Sequence, residues 1–382
     1  MITSETSGVW DLSDVYHKDN AGYWNYSELG ADYLLFSIGV NQQGQLGLND
    51  TVKRSSPVQI PGTQWNYIAS GNANSLAIKS DGTLWAWGRD NQGELGLNIT
   101  TPSYNSSPRQ IPGTQWSKVF VQGGNSFLFK TDGTLWSCGS NYRGNLGQND
   151  RVQYSSPRQV PGTQWNYVHT TNGNNCGVYA TKTDGTLWSM GYNFRGQLGQ
   201  NNRTEYSSPT QIPGTTWSSA RGGNQHLLAI KTDGTLWSCG IGDGYGQQGV
   251  NDRVPRSSPT QVPGTQWNSI SANNIGSSLA TKTDGTLWSW GRNFYSILGL
   301  NDTVDRSSPT QIPGTTWSSV NSLSTHVVAT KTDDSVWLWG ENGNGQLGLN
   351  NITYYSSPTQ IPGTQWKFPS AGSSQTLLLK NP

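Results

Sequence analysis

Apolar and polar residues alternate over short runs of this chain, the period of two that a half-buried β-strand requires. Trp65-Asn66-Tyr67-Ile68-Ala69 is one such run, and Ser75-Leu76-Ala77-Ile78-Lys79 is a second. Asp81-Gly82 follows and predicts a two-residue type I′ hairpin, a turn that needs positive φ at both central positions. Thr83-Leu84-Trp85-Ala86-Trp87 reads as the returning strand. Pro57-Val58-Gln59-Ile60 reads as a short edge strand, where proline is tolerated.

This unit recurs. Pro-Gly-Thr-x-Trp occurs seven times, ending at Trp65, Trp116, Trp165, Trp217, Trp267, Trp317 and Trp366, with spacings of 49 to 52 residues. Ser-Ser-Pro-x-Gln-[Ile/Val] precedes each copy. Asp-Gly-Thr-Leu-Trp follows in five copies, and Asp333-Asp334-Ser335-Val336-Trp337 is a degenerate sixth. A Gly-x-Leu-Gly element comes next, as in Gly44-Gln45-Leu46-Gly47, with deviations at Gly246-Gln247-Gln248-Gly249 and Ser296-Ile297-Leu298-Gly299. Of 18 tryptophans, 16 occupy repeat slots, leaving Trp10 and Trp24 outside. The tryptophans are therefore a packing device copied from unit to unit.

Four strands per unit, seven times over, predict an all-β fold, a seven-bladed β-propeller of ~50-residue repeats. A linear β-solenoid is the runner-up, but it would need caps at both ends. The last copy stops after Thr376-Leu377-Leu378-Leu379-Lys380. Its missing strand stands at the other end, where Tyr33-Leu34-Leu35-Phe36-Ser37-Ile38-Gly39 aligns with Thr134-Leu135-Trp136-Ser137-Cys138-Gly139. Blade seven is expected from these N- and C-terminal strands, which would close the ring without an open edge. Residues 1–31 form a separate N-terminal arm, and 32–382 the propeller. Within the arm, Ser13 is a candidate cap for a short helix over about 14–21.

Composition narrows the function. Only 12% of residues are charged, and 24 Lys+Arg face 23 Asp+Glu. No cation surplus exists to displace counterions from a phosphate backbone, so nucleic-acid binding is not expected. No apolar run is long enough for a membrane span. The first residues lack the pattern of a signal peptide. Three cysteines do not make a disulfide scaffold.

The motifs, taken in order, resemble the regulator of chromosome condensation repeat, a unit that builds seven-bladed propellers. The resemblance covers about residues 33–382 and implies the fold, while function does not follow from it. Nucleotide exchange on the Ran GTPase goes with a basic tail and a distinctive insertion, and neither is present. Ultraviolet-B reception goes with tryptophans interleaved with arginine in a Gly-Trp-Arg-His-Thr type motif, which is also missing. No motif points toward β-lactamase inhibition, the third activity of the family, and none excludes it. The leader, Ser7-Gly8-Val9-Trp10 and then Ala21-Gly22-Tyr23-Trp24, resembles segments that open structural proteins of marine tailed bacteriophages. That resemblance implies a docking arm presenting Val9, Trp10, Leu12, Val15, Tyr16 and Trp24.

Candidate chemistry is sparse. His226 and His326 lie nine residues after their unit's tryptophan, an offset shared with Asn74, Asn125, Asn174, Gly276 and Gln375. A repeated hydrogen-bonding role is expected there, not catalysis. The other two histidines are His17 and His169. Cys138 and Cys239 share one slot with Met190, Trp87 and Ile38, and Cys176 is isolated. The glycine-rich loops lack the Gly-Lys-[Ser/Thr] and following helix of a phosphate cradle. No catalytic residue, cofactor or metal ligand is expected, and the protein is read as non-enzymatic.

Binding is expected in the loops that vary between units. The candidates are Tyr142, Arg143, Tyr192, Phe194, Arg195, Arg292, Phe294 and Tyr295, residue types that anchor interfaces. The resulting expectation is a structural or interaction propeller serving as a bacteriophage virion component, held by its arm. Its partners would be other virion or host-surface proteins, or a glycan. The alternative is a free soluble protein- or glycan-binding module that uses the same loops.

Overall fold

A computed structural model describes residues 35–380, apart from 40, 53, 72, 123, 172–176, 224, 243, 323, 344–346, 350, 362–365 and 372–375. It contains six four-stranded antiparallel sheets and two two-stranded ones, with a single 3-10 turn at Phe294–Ser296 among the described residues. Blade 1 comprises Trp65–Ser70, Asn74–Lys79, Leu84–Asp90 and Ser103–Ile111, in that order across the sheet. Blades 2 to 6 repeat the order from Trp116, Trp165, Trp217, Trp267 and Trp317.

The first strands of neighbouring blades touch one another, which puts them innermost, with the Ser-Ser-Pro strands at the rim. Second strands are buried on both faces because each sheet packs flat against the next. Leu76 and Ile78 of blade 1 thus share a core with Trp116, Val119 and Leu128 of blade 2. Phe120, Phe127 and Phe129 of blade 2 meet Trp165 and Val168 of blade 3 in the same way.

The tryptophans staple each blade on the face that carries the Pro-Gly-Thr segments. Trp65 and Trp85 meet edge to face at 6.3 Å, and the Lys79 ammonium sits 5.1 and 4.9 Å from their ring centroids. The same Lys–Trp–Trp arrangement recurs at Lys130, Lys182, Lys231, Lys282 and Lys331. Trp85 Nε1 donates to Thr83 Oγ1 (3.0 Å), which in turn donates to Asp81 Oδ1 (2.6 Å). Those bonds hold the Asp81 carboxyl below its usual range.

The hairpin differs from the predicted type I′ turn. Gly82 has φ +77°, but Asp81 is not in the positive-φ region. Gly82 N–H reaches Lys79 O, and Lys79 N–H reaches Thr83 O, which makes a three-residue loop closed by a left-handed glycine. The Asp81 side chain caps the turn by accepting from Thr83 N–H (2.9 Å), so it need not adopt positive φ.

The ends of the described chain hold complementary halves of one unit. Phe36–Gly39 pairs with Arg54–Gln59, the third and fourth strands, and Trp366–Ala371 pairs with Thr376–Lys380, the first and second. Their union in a seventh sheet is an expectation of the repeat and is not among the described ladders.

Candidate functional site

The varying loops run from the third strand of each blade to its fourth, and a buried asparagine shapes them. Asn41, Asn141, Asn193, Asn293 and Asn342 are fully buried. The Oδ1 of each accepts from the leucine N–H five residues on, at 2.9–3.0 Å. Each Nδ2 donates to the carbonyl nine residues on, at 2.9–3.1 Å. The loop then clips onto the next blade. Asn149 N–H donates to Ser207 O (2.7 Å), and Ser208 Oγ donates to Asn149 Oδ1 (2.9 Å). Equivalent bonds join Asn98 to Ser155 and Ser156, and Asn201 to Ser257 and Ser258. The Ser-Ser-Pro and Gly-x-Leu-Gly motifs are thus two halves of one inter-blade contact, a link that sequence spacing did not disclose.

On this scaffold the eight candidate residues fall mainly into two clusters. In the first, the Arg143 guanidinium lies 5.3 Å from the Tyr192 ring, which stacks on Phe194 at 6.4 Å and 19°. Arg195 lies 5.4 Å from that Phe194 ring. Arg143 and Arg151 both reach Glu205, at 3.3 and 3.0 Å, tying the loops of blades 2 and 3 together. In the second, Arg292 lies between Tyr245 (4.7 Å) and Phe294 (4.9 Å). Tyr295 continues the row, 4.2 Å from Phe294 and 5.9 Å from Tyr354. Tyr142, Phe194 and Phe294 are each more than half exposed. The arm candidates Val9, Trp10, Leu12, Val15, Tyr16 and Trp24 lie outside the described residues, as do His17 and Cys176.

A third cluster was missed at the sequence level. Arg221, on the innermost strand of blade 4, donates to Tyr167 Oη at 2.6 Å and lies 5.2 Å from that ring. His169 Nδ1 accepts from Gly222 N–H (3.2 Å), and its ring meets Phe120 at 5.7 Å. Burial pushes the Tyr167 phenol up to about 12 and the His169 imidazole well down. A signal was available, because the slot of Arg221 holds Ala69, Phe120, Ser271 and Asn321 in other blades.

The histidine slot is a hydrogen-bonding position, although the fixed offset misplaces it twice. Strand register sets Asn74, Asn125, His226 and His326 opposite the glycine of the third strand. In blades 3 and 5 the residue in that register is Gly177 or Ser277, because those loops are longer. Asn125 Nδ2 and Ser277 Oγ donate to the carbonyls of Ser140 and Arg292. His226 Nε2 lies 3.0 Å from Ser278 Oγ of the next blade. Cys138 and Cys239 are buried in the slot of Trp87 and Met190, and burial raises both thiols. Among the described residues no group of three or more His, Cys, Asp or Glu is placed to hold a metal, and no helix is long and apolar enough to cross a membrane.

Radial four-stranded sheets with their first strands innermost, clipped by repeat loops, define a β-propeller. The profile of the Regulator of chromosome condensation (RCC1) repeat matches residues 34–78, 81–128, 132–176, 184–230, 284–329 and 333–379, and the chain belongs to this family. The chain is similar to the Ultraviolet-B receptor UVR8 of Arabidopsis thaliana, with 28% identity over 182 residues, 46% of this chain and 41% of that protein. It is also similar to the probable E3 ubiquitin-protein ligase HERC6 of Homo sapiens, with 30% identity over 187 residues, 47% of this chain and 18% of that protein. The matches span less than half the length of these relatives. Among solved structures, Prp20p from Saccharomyces cerevisiae superposes with a TM-score of 0.75 at 20% identity, covering 95% of this chain and 93% of that one. Human WBSCR16 gives 0.75 at 20%, covering 92% and 100%. At such identity these likenesses establish the fold.

Proposed function

We propose that this chain is a non-catalytic interaction propeller that binds a protein partner through the face bearing the two arginine–aromatic clusters. The observation that carries this reading is the gathering of blade-specific side chains on loops that are otherwise identical scaffolding. Aromatic rings more than half exposed and flanked by guanidinium groups are typical interface anchors. Within the family fold, the yeast Prp20p structure was described together with binding to Gsp1p and histones.

The partner reading goes further: the chain serves as a bacteriophage virion component, attached through arm 1–31. The leader sequence supports this, while the relatives named above are plant and human proteins. The test is cosedimentation of the purified chain with virions. Deleting 1–31 is expected to release it, and alanine at Tyr142, Phe194 and Phe294 to weaken capture about 10-fold or more per anchor with the fold intact. Failure to cosediment sinks the virion reading. Retention by the triple variant sinks the loop face, and retention by the deletion sinks the arm.

The stacked Tyr192–Phe194 pair favours a second reading, a free soluble module that binds a protein or a glycan, since flat aromatic faces suit sugar rings. Glycan-array binding lost on Phe194→Ala would support it, and an array without signal would remove the glycan version.

A further inference from the structure

We propose that blade 1 carries a binding site for a hard, oxygen-seeking cation of the Ca²⁺ type, centred on Asp90. Asp90 occupies the loop slot that is asparagine in five other units. It keeps one of the two roles of that slot, as its Oδ1 accepts from Leu95 N–H at 3.1 Å. It cannot play the other, because a carboxylate has no N–H to give to the carbonyl nine residues on. The residue at that position is Ile99, where the other loops carry Asp50, Asp150, Asn202, Asp302 or Asn351. Asp90 is 1% exposed, and its Oδ2 is buried with no hydrogen-bond partner.

The backbone has changed with the side chain. Gly88 pairs with Asn105, whereas the equivalent Gly139 pairs with Tyr154, so this loop is two residues longer than that of blade 2. A cavity of about 130 Å³ opens there, lined by Asp90, Asn91, Thr100, Thr101, Gln153 and Ser155 among others. The ladder neighbours Ser103 Oγ and Asn105 Nδ2 are likewise buried without partners. The nearby Glu94 is satisfied, accepting from Arg89 Nε (3.1 Å) and Gln92 N–H (2.6 Å), so the uncompensated charge belongs to Asp90. Burial raises the Asp90 carboxyl to about 6. A buried carboxylate in a cavity lined by hydroxyl- and amide-bearing side chains is a setting that favours a hard cation over zinc. With one carboxylate the affinity is expected on the order of 10⁻⁴–10⁻³ M.

The test is calorimetric unfolding of the full chain at pH 7.5 with and without CaCl₂, together with Tb³⁺ luminescence titration. At ten times the dissociation constant, Ca²⁺ is expected to raise the unfolding temperature by about 2 °C. Asp90→Asn should abolish both the shift and the Tb³⁺ signal while unfolding higher in metal-free buffer, since the amide again donates to the loop. The exposed-turn control Asp233→Asn should keep the shift. No response in the native chain, an equal response in Asp90→Asn, or loss in the control as well would each overturn the proposal.

Discussion

His326 shows how one slot can be filled by residues with different pH behaviour. Burial pulls its imidazole down to about 4, from an ordinary value near 6.5. The folded state therefore keeps it neutral while the unfolded chain takes up a proton below about 6.5. Stability is complete above that value and is lost as pH falls toward 4. A gap of roughly 2.5 pH units is worth about 3 kcal/mol at full development. His326→Asn places the residue of Asn74 and Asn125 in the same register and is expected to flatten this loss. Denaturant unfolding at pH 7.5 and 4.5 checks it: equal losses in both proteins would exclude His326 as the source. The shared role of the slot was legible because Asn, His and Gln alternate at a fixed offset. The occupants in blades 3 and 5 were not, because insertions move register without changing the count from tryptophan.

The loop and the Ser-Ser-Pro strand of the next blade work as one element pair. A Cβ on Gly144 would stand 2.5 Å from Ser207 Cα, and this glycine has φ +76°. Gly144→Ala therefore meets both a backbone clash and left-handed strain, and a loss of about 2 kcal/mol or more is expected. Blade 5 carries the converse case, with Ser296 in the glycine slot at φ 56° inside a 3-10 turn. Ser296→Gly should stabilise by about 0.5–1 kcal/mol, and thermal unfolding of both variants reads both signs. The strands themselves were legible from alternation, and the repeat fixed their order. The inter-blade clip was not, because its halves lie more than 50 residues apart and look like separate turn motifs. The Arg221–Tyr167–His169 cluster escaped for a related reason. Arg221 and His169 fill the same slot of neighbouring repeats, with Tyr167 two residues before His169, and only the packing of blade 3 against blade 4 brings them together.

At the scale of the molecule, the two half-units at the ends of the described chain complement one another strand for strand. Between them they hold one copy of each blade strand. In the complete blades four residues join the second strand to the third, as Thr131-Asp132-Gly133-Thr134 do between Lys130 and Leu135. Leu35 occupies the place of Leu135, since Ile60 N–H donates to Leu35 O as Val160 N–H does to Leu135 O, both at 2.8 Å. A circular permutant can therefore join Lys380 to Leu35 through Thr-Asp-Gly-Thr and open the chain between Pro61 and Gly62, dispensing with 1–34. If the halves form one blade, the permutant carries seven uninterrupted four-stranded units. It should then unfold in a single transition within a few degrees of the parent. If the ends lie apart as in a linear array, the four-residue tie would pull two distant edges together. The permutant would then aggregate or unfold at least 10 °C lower, with the separated halves melting first.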